Sequence, residues 1–344
     1  MPARGPVTLS QVAREAGVSL ATASRAINGS ATRTVRADLR DRVLEAAERL
    51  RYSPDANAQA MARGRTTSLG LIVHDIADPY FSSIASGVTL AAERASLVVT
   101  LASTQHDPSR EPAFVELLRR QRARAVIVAG GRRDDDALNA EMRAALEDFE
   151  RSGGSVAVIG QPLLDVDTVV IANRSGSAAL ARALHGRGYR RFGVLAGPVD
   201  HLTARDRREG FAEALAELGC PAAPDAFVTC GFTRDGGYEG MTRLLKDGPD
   251  VEVVFAVNDV MAVGAIAAAR DLARSVPHDV GVAGFDDITT LRDVTPALTT
   301  VRIPLVDVGI AATELALARP ADEPRLVHVE GSVVLRESTP GPHT

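Results

Sequence analysis

The sequence predicts a two-part protein: a small all-α N-terminal unit joined to a two-lobed α/β body built on two parallel, doubly wound sheets. Three observations predict it. Residues 8–29 carry two short amphipathic helical patterns separated by a glycine. From Leu69 onward short apolar runs alternate with amphipathic helices, and the alternation restarts near Val169, which implies two lobes of similar build. Charge divides the same way, with a net of +5 over residues 1–65 against −5 for the whole chain. At 344 residues the chain is also too long for one ordinary domain.

In the first unit, Thr8 is a natural N-cap, with Gln11 three residues on as a capping box requires. Leu9, Val12, Ala13 and Ala16 recur at helical spacing and form one apolar stripe. Gly17 supplies the positive φ that ends this helix, Val18 plugs the angle, and Ser19 caps a second helix reaching about Ile27. There Ala23, Ala26 and Ile27 face inward and Leu20, Ala21, Thr22, Ser24 and Arg25 face outward. A second helix with its N-terminal residues turned out is the helix-turn-helix geometry that sets side chains against base edges in the major groove. A plain αα-hairpin is the competing reading of these 22 residues alone. A polar loop follows, then a third helix from about Val35 to Leu50 with Val43, Ala46, Ala47 and Leu50 as its stripe. Pro54 breaks it. Residues 55–63 have helical propensity over only two turns, marginal in isolation, and 64–68 read as a linker.

In the body, strands are expected at Leu69–Val73, Leu97–Ala102, Ala125–Val128 and Val156–Ile159, then at Val169–Ile171, Phe192–Ala196, Ala226–Thr229, Val253–Ala256 and Val280–Gly284. Helices fall between them, and a last strand is expected over Leu326–Leu335. Strands of this kind are buried on both faces, and ligands bind beyond their C-terminal ends, here between the lobes.

The composition excludes several classes of function. No apolar run is long enough to cross a membrane and residues 1–6 lack an export signal, so a cytoplasmic location is expected. Cys220 and Cys230 lack metal spacing and read as free thiols, and the seven His residues form no i,i+4 pair; no metal or cofactor is expected. GxSxG, GxGxxG after a strand, P-loop and HExxH patterns are missing, and Asp286-Asp287 would point apart, which argues against an enzyme. A purely solute-binding protein would need an export signal and no basic headpiece; the chain shows the reverse.

Over nearly its full length the chain resembles the lactose/galactose repressor (LacI/GalR) family of bacterial transcription regulators. The residues that carry the resemblance are Val7-Thr8-Leu9 through Gly17-Val18-Ser19, Ser24-Arg25, Ile27-Asn28 and Tyr52-Ser53-Pro54 in the first unit. In the body they are residues 69–73, Asp78-Pro79-Tyr80-Phe81, Ala196-Gly197-Pro198, residues 205–211, Phe255-Ala256-Val257-Asn258-Asp259, residues 282–287 and Leu298-Thr299-Thr300-Val301. The resemblance implies a helix-turn-helix headpiece over 1–53, a hinge helix and linker over 54–68, and a periplasmic-binding-protein-like body over 69–344. Its N-lobe would comprise about 69–171 and 292–321, and its C-lobe about 172–291 and 322–340. It further implies a homodimer on a pseudo-palindromic double-stranded operator, with a small-molecule effector, a sugar or derivative, held between the lobes.

By that resemblance Leu20 and Ala21 are the principal base-reading pair, Thr22 and Ser24 touch backbone or bases, and Arg25 is the candidate for bidentate reading of a guanine. Thr8, Ser19, Asn28 and Tyr52 match phosphate contacts that set register, and Asn57 joins the DNA contacts. Met61 stands where the family wedges a Leu into the central base step, or else packs hinge helix on hinge helix. Asp78, Phe81, Arg207, Phe232, Asn258 and Asp286 match the effector cleft: polar groups for hydroxyls, rings for an apolar sugar face. An interlobe ion pair between Arg207 and Asp286 is the alternative. The chain departs from the family in a longer loop after Asn28, Arg36 where Ser caps the third helix, Asp78 for Asn, Ala172 for Asp, and Ile303 for a ligand-binding Gln. No leucine heptads end the chain, so a dimer is expected rather than a tetramer. The sign of the response, inducer or corepressor, is open.

Overall fold

The computed structural model describes residues 7–28, 34–52 and 66–342. It divides into two compact units, Met1–Thr67 and Ser68–Thr344. No helix among the described residues is long and apolar enough to cross a membrane.

The first unit holds α1 (Leu9–Glu15), α2 (Leu20–Asn28) and α3 (Ala37–Arg49) around a small core of Val12, Ala13, Ala16, Ala23, Ala26, Val43 and Ala46. The capping box forms, with the Thr8 N–H donating to Gln11 Oε1 at 2.8 Å. Gly17 lies at φ +63°, the left-handed region that turns the chain between α1 and α2. Arg42 of α3 donates to the Ala16 carbonyl at 2.5 Å, so the orphaned end of α1 is closed from another helix. Arg36, which stands where the resembled family has a capping Ser, makes no cap bond; its guanidinium grips Asp38 instead. Residues 53–65, which include the hinge helix expected over 55–63, lie outside the described residues, and Ser68, expected as the end of the linker, begins a strand.

The second unit begins with β1 (Ser68–Val73), α4 (Pro79–Arg94), β2 (Val98–Ser103), α5 (Glu111–Arg120), β3 (Ala125–Ala129), α6 (Asp136–Arg151), β4 (Ser155–Ile159) and β5 (Thr168–Ile171). It continues with α7 (Asn173–Gly186), β6 (Phe192–Leu195), α8 (Leu202–Glu217), β7 (Phe227–Val228), α9 (Arg234–Asp247), β8 (Val253–Ala256), α10 (Asp259–Asp271) and β9 (Gly281–Ala283). The last elements are β10 (Thr300–Arg302), α11 (Leu305–Leu317), β11 (Leu326–Val329) and β12 (Ser332–Val334).

The first lobe is a six-stranded parallel sheet in the order β11-β5-β4-β3-β1-β2. Period-two alternation gives it two dry faces. Leu69, Leu71, Ile127 and Ala129 pack under α4 and α11, while Ile72, Val126 and Val128 pack under α5 and α6. Helices α4 and α11 touch backbone to backbone at Gly87 and Gly309, where a Cβ would strike the carbonyls of Val306 and Ile84. The second lobe is a four-stranded parallel sheet, β7-β6-β8-β9, between the α7/α8 and α9/α10 pairs. Phe211 of α8 stacks on Phe255 of β8 at 4.5 Å between ring centroids.

Two expectations are corrected. The strand expected over Leu326–Leu335 is two strands in two sheets: Leu326–Val329 pairs with β5, so it belongs to the first lobe and not to the C-lobe, and Ser332–Val334 pairs antiparallel with β10. Apolar alternation continues through Glu330 and Gly331, but Gly331 packs on Val301 and Ile303, and the hydrogen-bond partner changes there. Nor is every strand buried on both faces. β2 is a sheet edge with Val98 68% and Leu101 43% exposed.

Candidate functional site

In the helical unit, α2 presents the face that the sequence assigns to it. Leu20 is 51% exposed, Ala21 is exposed, and Thr22, Ser24, Arg25 and Asn28 are partly so. Ser19 Oγ accepts the Thr22 N–H at 3.1 Å and shares a 2.8 Å hydrogen bond with the Thr22 hydroxyl, so both hydroxyls serve the cap. Arg25 Nε donates to the Ala21 carbonyl at 3.0 Å. That bond uses Nε and holds the stem along the helix. Asn28 donates to Ser24 Oγ at 3.3 Å. Thr8 is exposed at the start of α1, and Tyr52 is half-buried against the three-helix core. Asn57 and Met61 lie outside the described residues.

In the body, one cleft gathers all six residues singled out there: Asp78, Phe81, Arg207, Phe232, Asn258 and Asp286. Asp78, Phe232, Asn258 and Asp286 stand in the segments that follow the C-terminal ends of β1, β7, β8 and β9, while Phe81 and Arg207 come from the early turns of α4 and α8, the helices that follow β1 and β6. Asp78 caps α4, its carboxylate accepting the Tyr80 N–H at 2.9 Å, with Pro79 at the first helical position. An Asp can do this as well as the Asn it replaces. Burial raises the Asp78 carboxyl above its ordinary range. Asn258 caps α10 through its side-chain oxygen, which takes the Met261 N–H at 2.8 Å.

Arg207 is the centre of the second-lobe wall. It is buried, and its Nε donates to Asn173 Oδ1 at 2.7 Å, Nη1 to the Val257 carbonyl at 2.8 Å, and Nη2 to Asp286 Oδ1 at 2.7 Å. Its guanidinium also lies 3.9 Å from the centroid of the Phe285 ring. Asp286 sits at φ +120°, a strained backbone of the kind that the surrounding structure must hold in place. The hold is visible: its N–H donates to the Val301 carbonyl and its carbonyl accepts the Ile303 N–H. Burial pushes the Asp286 carboxyl up to about 7, against the pull of Arg207. Asp287 turns away and receives Arg302 and Arg336. The Arg207–Asp286 pair is therefore real but not interlobe: both residues stand on the second lobe and line the cleft together.

Sequence reasoning missed several lining residues, among them His74, Tyr80, His106, Arg133, His201 and Thr203. The signal available was position: His74 follows β1 directly, and His106 and Arg133 follow β2 and β3. His201 caps α8 and stacks on Phe232 at 4.5 Å, and its burial lowers its pKa to about 3, so it stays a neutral acceptor. His74 faces buried Glu111, which also receives Arg132; burial works against the Glu111 carboxylate, but His74 and Arg132 hold it below its usual range. Asp259, not flagged beforehand, is fully buried, accepts Thr300 Oγ1 and the Ile288 N–H, and is raised by burial to about 6. Ile303 is buried beside Gly331 and does not line this cleft, so its substitution for Gln changes packing there. Among the described residues no cluster could hold a metal ion.

Comparison with known proteins agrees with this architecture. Residues 8–55 match the family model described as bacterial regulatory proteins, lacI family, and residues 181–339 match the periplasmic binding protein-like domain. The chain is 36% identical to the HTH-type transcriptional regulator GalS of Salmonella typhimurium, over 90% of this chain and 89% of that one. It is 35% identical to the HTH-type transcriptional regulator GalR of Escherichia coli K12, over 92% and 90%. Among solved structures it resembles the transcriptional regulator CelR–cellobiose complex (29% identity, TM-score 0.70, covering 96% of this chain and 99% of that one). The Lac repressor dimer bound to operator and the anti-inducer ONPF matches in fold with a TM-score of 0.82 at 23% identity, covering 97% and 99%.

Proposed function

Because the chain belongs to the LacI/GalR family of DNA-binding transcription regulators and is not an enzyme, we propose that it is a homodimeric repressor of a pseudo-palindromic operator, controlled by an uncommitted polyhydroxylated effector, a sugar or derivative, bound between its lobes. The observation that carries this reading is the cleft itself. Rings of Phe81 and Phe232 stand with the polar edges of Asp78, Asn258, Arg207 and Asp286 at converging strand ends. That combination suits a molecule with an apolar ring face and a girdle of hydroxyls.

In this reading Leu20, Ala21 and Arg25 read base edges, and Thr8, Ser19, Asn28 and Tyr52 contact phosphates. The dimer reading draws on exposed apolar side chains at the sheet edge of the first lobe, Val98 and Leu101 on opposite faces of β2, and Leu90 on the neighbouring α4. Control is linkage: an effector shifts operator affinity only by its differential affinity for two arrangements of the lobes, typically about 5–150-fold. A solved complex of a family relative with cellobiose supports the ligand class.

A gel shift of the full chain against DNA upstream of its own coding region, with residues 66–344 as the control, tests the DNA half. Salt-sensitive, sequence-selective binding by the full chain alone is expected; its absence refutes the repressor. For the effector half, a sugar that shifts the melting of the wild-type body should fail to shift that of Asp286→Asn. An equal shift in the variant would place the ligand elsewhere.

A further inference from the structure

The two lobes meet along one edge of the cleft through a compact set of polar contacts. The segment after β3 runs against the segment leading into α8 as a short antiparallel bridge, Arg133 opposite His201. Two backbone hydrogen bonds join it: the Asp134 N–H donates to the Asp200 carbonyl at 2.8 Å, and the Leu202 N–H to the Arg132 carbonyl at 3.0 Å. Two ion pairs flank these bonds with crossed polarity. Arg133 of the first lobe reaches both carboxylate oxygens of Asp200 at 3.0 Å, and Arg205 of the second lobe reaches Asp134 at 2.7 Å. Gln161 finishes the seam, accepting the Arg132 N–H at 2.8 Å and donating to Thr203 Oγ1 of the opposite lobe at 3.0 Å.

We propose that this crossed pair of salt bridges, Arg133–Asp200 and Arg205–Asp134, is a clasp that holds the lobes shut over the cleft and sets the closure equilibrium against which a ligand acts. Crossed polarity makes it selective for one register: a slip that brought Arg133 toward Arg205, or Asp134 toward Asp200, would meet like charge. The clasp strand is anchored from behind, because the neighbouring Arg132 is buried and bound to buried Glu111, which faces His74 in the cleft wall. A group that touches His74 therefore presses on the same buried cluster that positions the clasp. The consequence for effector control rests on the function proposed above, whereas the clasp itself is tested with no effector present.

The test is amide hydrogen exchange on the full chain, read by mass spectrometry on short peptides covering residues 132–136 and 200–204. The two reporting amides, Asp134 and Leu202, come from different lobes but donate across the same seam. Asp200→Arg or Arg133→Asp alone should speed exchange at both amides by a common factor of roughly three to ten, with the amides of β3 and β6 unchanged. The double reversal Arg133→Asp/Asp200→Arg should return both to within about twofold of the wild type. Asp134→Arg and Arg205→Asp, singly and together, give a second cycle should one variant fold poorly. Unchanged exchange in the single variants, acceleration at one amide only, or a double reversal as fast as the worse single variant would each overturn the clasp.

Discussion

Replacing Arg207 with Met removes the charge at the centre of the cleft wall while keeping much of the side-chain volume. The structure sets the size of the effect. The variant leaves the buried Asp286 carboxylate without its counter-charge and strands the Val257 carbonyl and Asn173 Oδ1, both of which arginine now satisfies. Breaking a buried ion pair from one side costs about 3–5 kcal/mol. Asp286 already sits at about 7 through burial, with Arg207 opposing that rise; without Arg207 its pKa moves higher still. The linkage sign follows. A carboxyl raised in the folded state binds more protons there than in the unfolded chain, so its protonation stabilises the fold as pH falls through the folded value toward the unfolded one. The deficit of Arg207→Met should therefore be largest near pH 8 and shrink toward pH 5.5, by up to about 1.4 kcal/mol per pH unit across the titration. Urea unfolding of wild type, Arg207→Met and Arg207→Met/Asp286→Asn at pH 8 and pH 5.5 provides the assay. The double variant should recover a large part of the loss at pH 8, because it removes the stranded charge. A loss under about 1 kcal/mol, or one independent of both pH and the Asp286 substitution, would refute the account of a buried, mutually dependent pair.

Three further outcomes are expected. Arg25→Ala should weaken operator binding by about 1–3 kcal/mol and relax specificity at one base pair per half-site; a loss equal on all sequences in a gel-shift series would make Arg25 a phosphate contact. His201→Asn keeps a helix-capping side chain but removes a group whose pKa is lowered to about 3 in the fold. Wild type should thus lose stability relative to that variant as pH drops below about 6.5, and a thermal-melt difference constant from pH 8 to pH 5 would contradict this. Gly17→Ala would force a Cβ into left-handed backbone and against the Arg42 guanidinium that caps α1. A loss of about 1 kcal/mol or more in the helical unit is expected by circular dichroism, and a neutral result would show that the turn adjusts freely.

Much of this was legible in the chain. Thr8 with Gln11, Gly17 and Ser19 marked the helix-turn-helix because caps and left-handed turns are local chemistry, read over three or four residues. The parallel strands were visible as apolar runs because burial on both faces leaves no alternation to hide them; β2 shows the limit, since a sheet edge with Val98 exposed has the same letters as a buried strand. The six cleft residues came from motif resemblance, and the rule that parallel strands open at their C-terminal ends explains why they converge.

Tertiary structure decided what depends on partners distant in sequence. Nothing within ten residues of Arg42 announces that it closes α1, or that Asp259 ties α10 to Thr300. The alternation from Leu326 to Leu335 cannot show that the strand changes sheets at Gly331, because periodicity encodes which way side chains face and not which neighbour supplies the hydrogen bonds. Arg207 and Asp286 are 79 positions apart; their types promised a polar cleft, but only the fold buried the pair, joined it directly, and made it one wall of the site in place of the alternative bridge between lobes. The two ion pairs that join the lobes, Arg133 to Asp200 and Arg205 to Asp134, lie in ordinary charged stretches, three partners in loops and Arg205 in the first turn of α8, and their meaning comes from proximity alone.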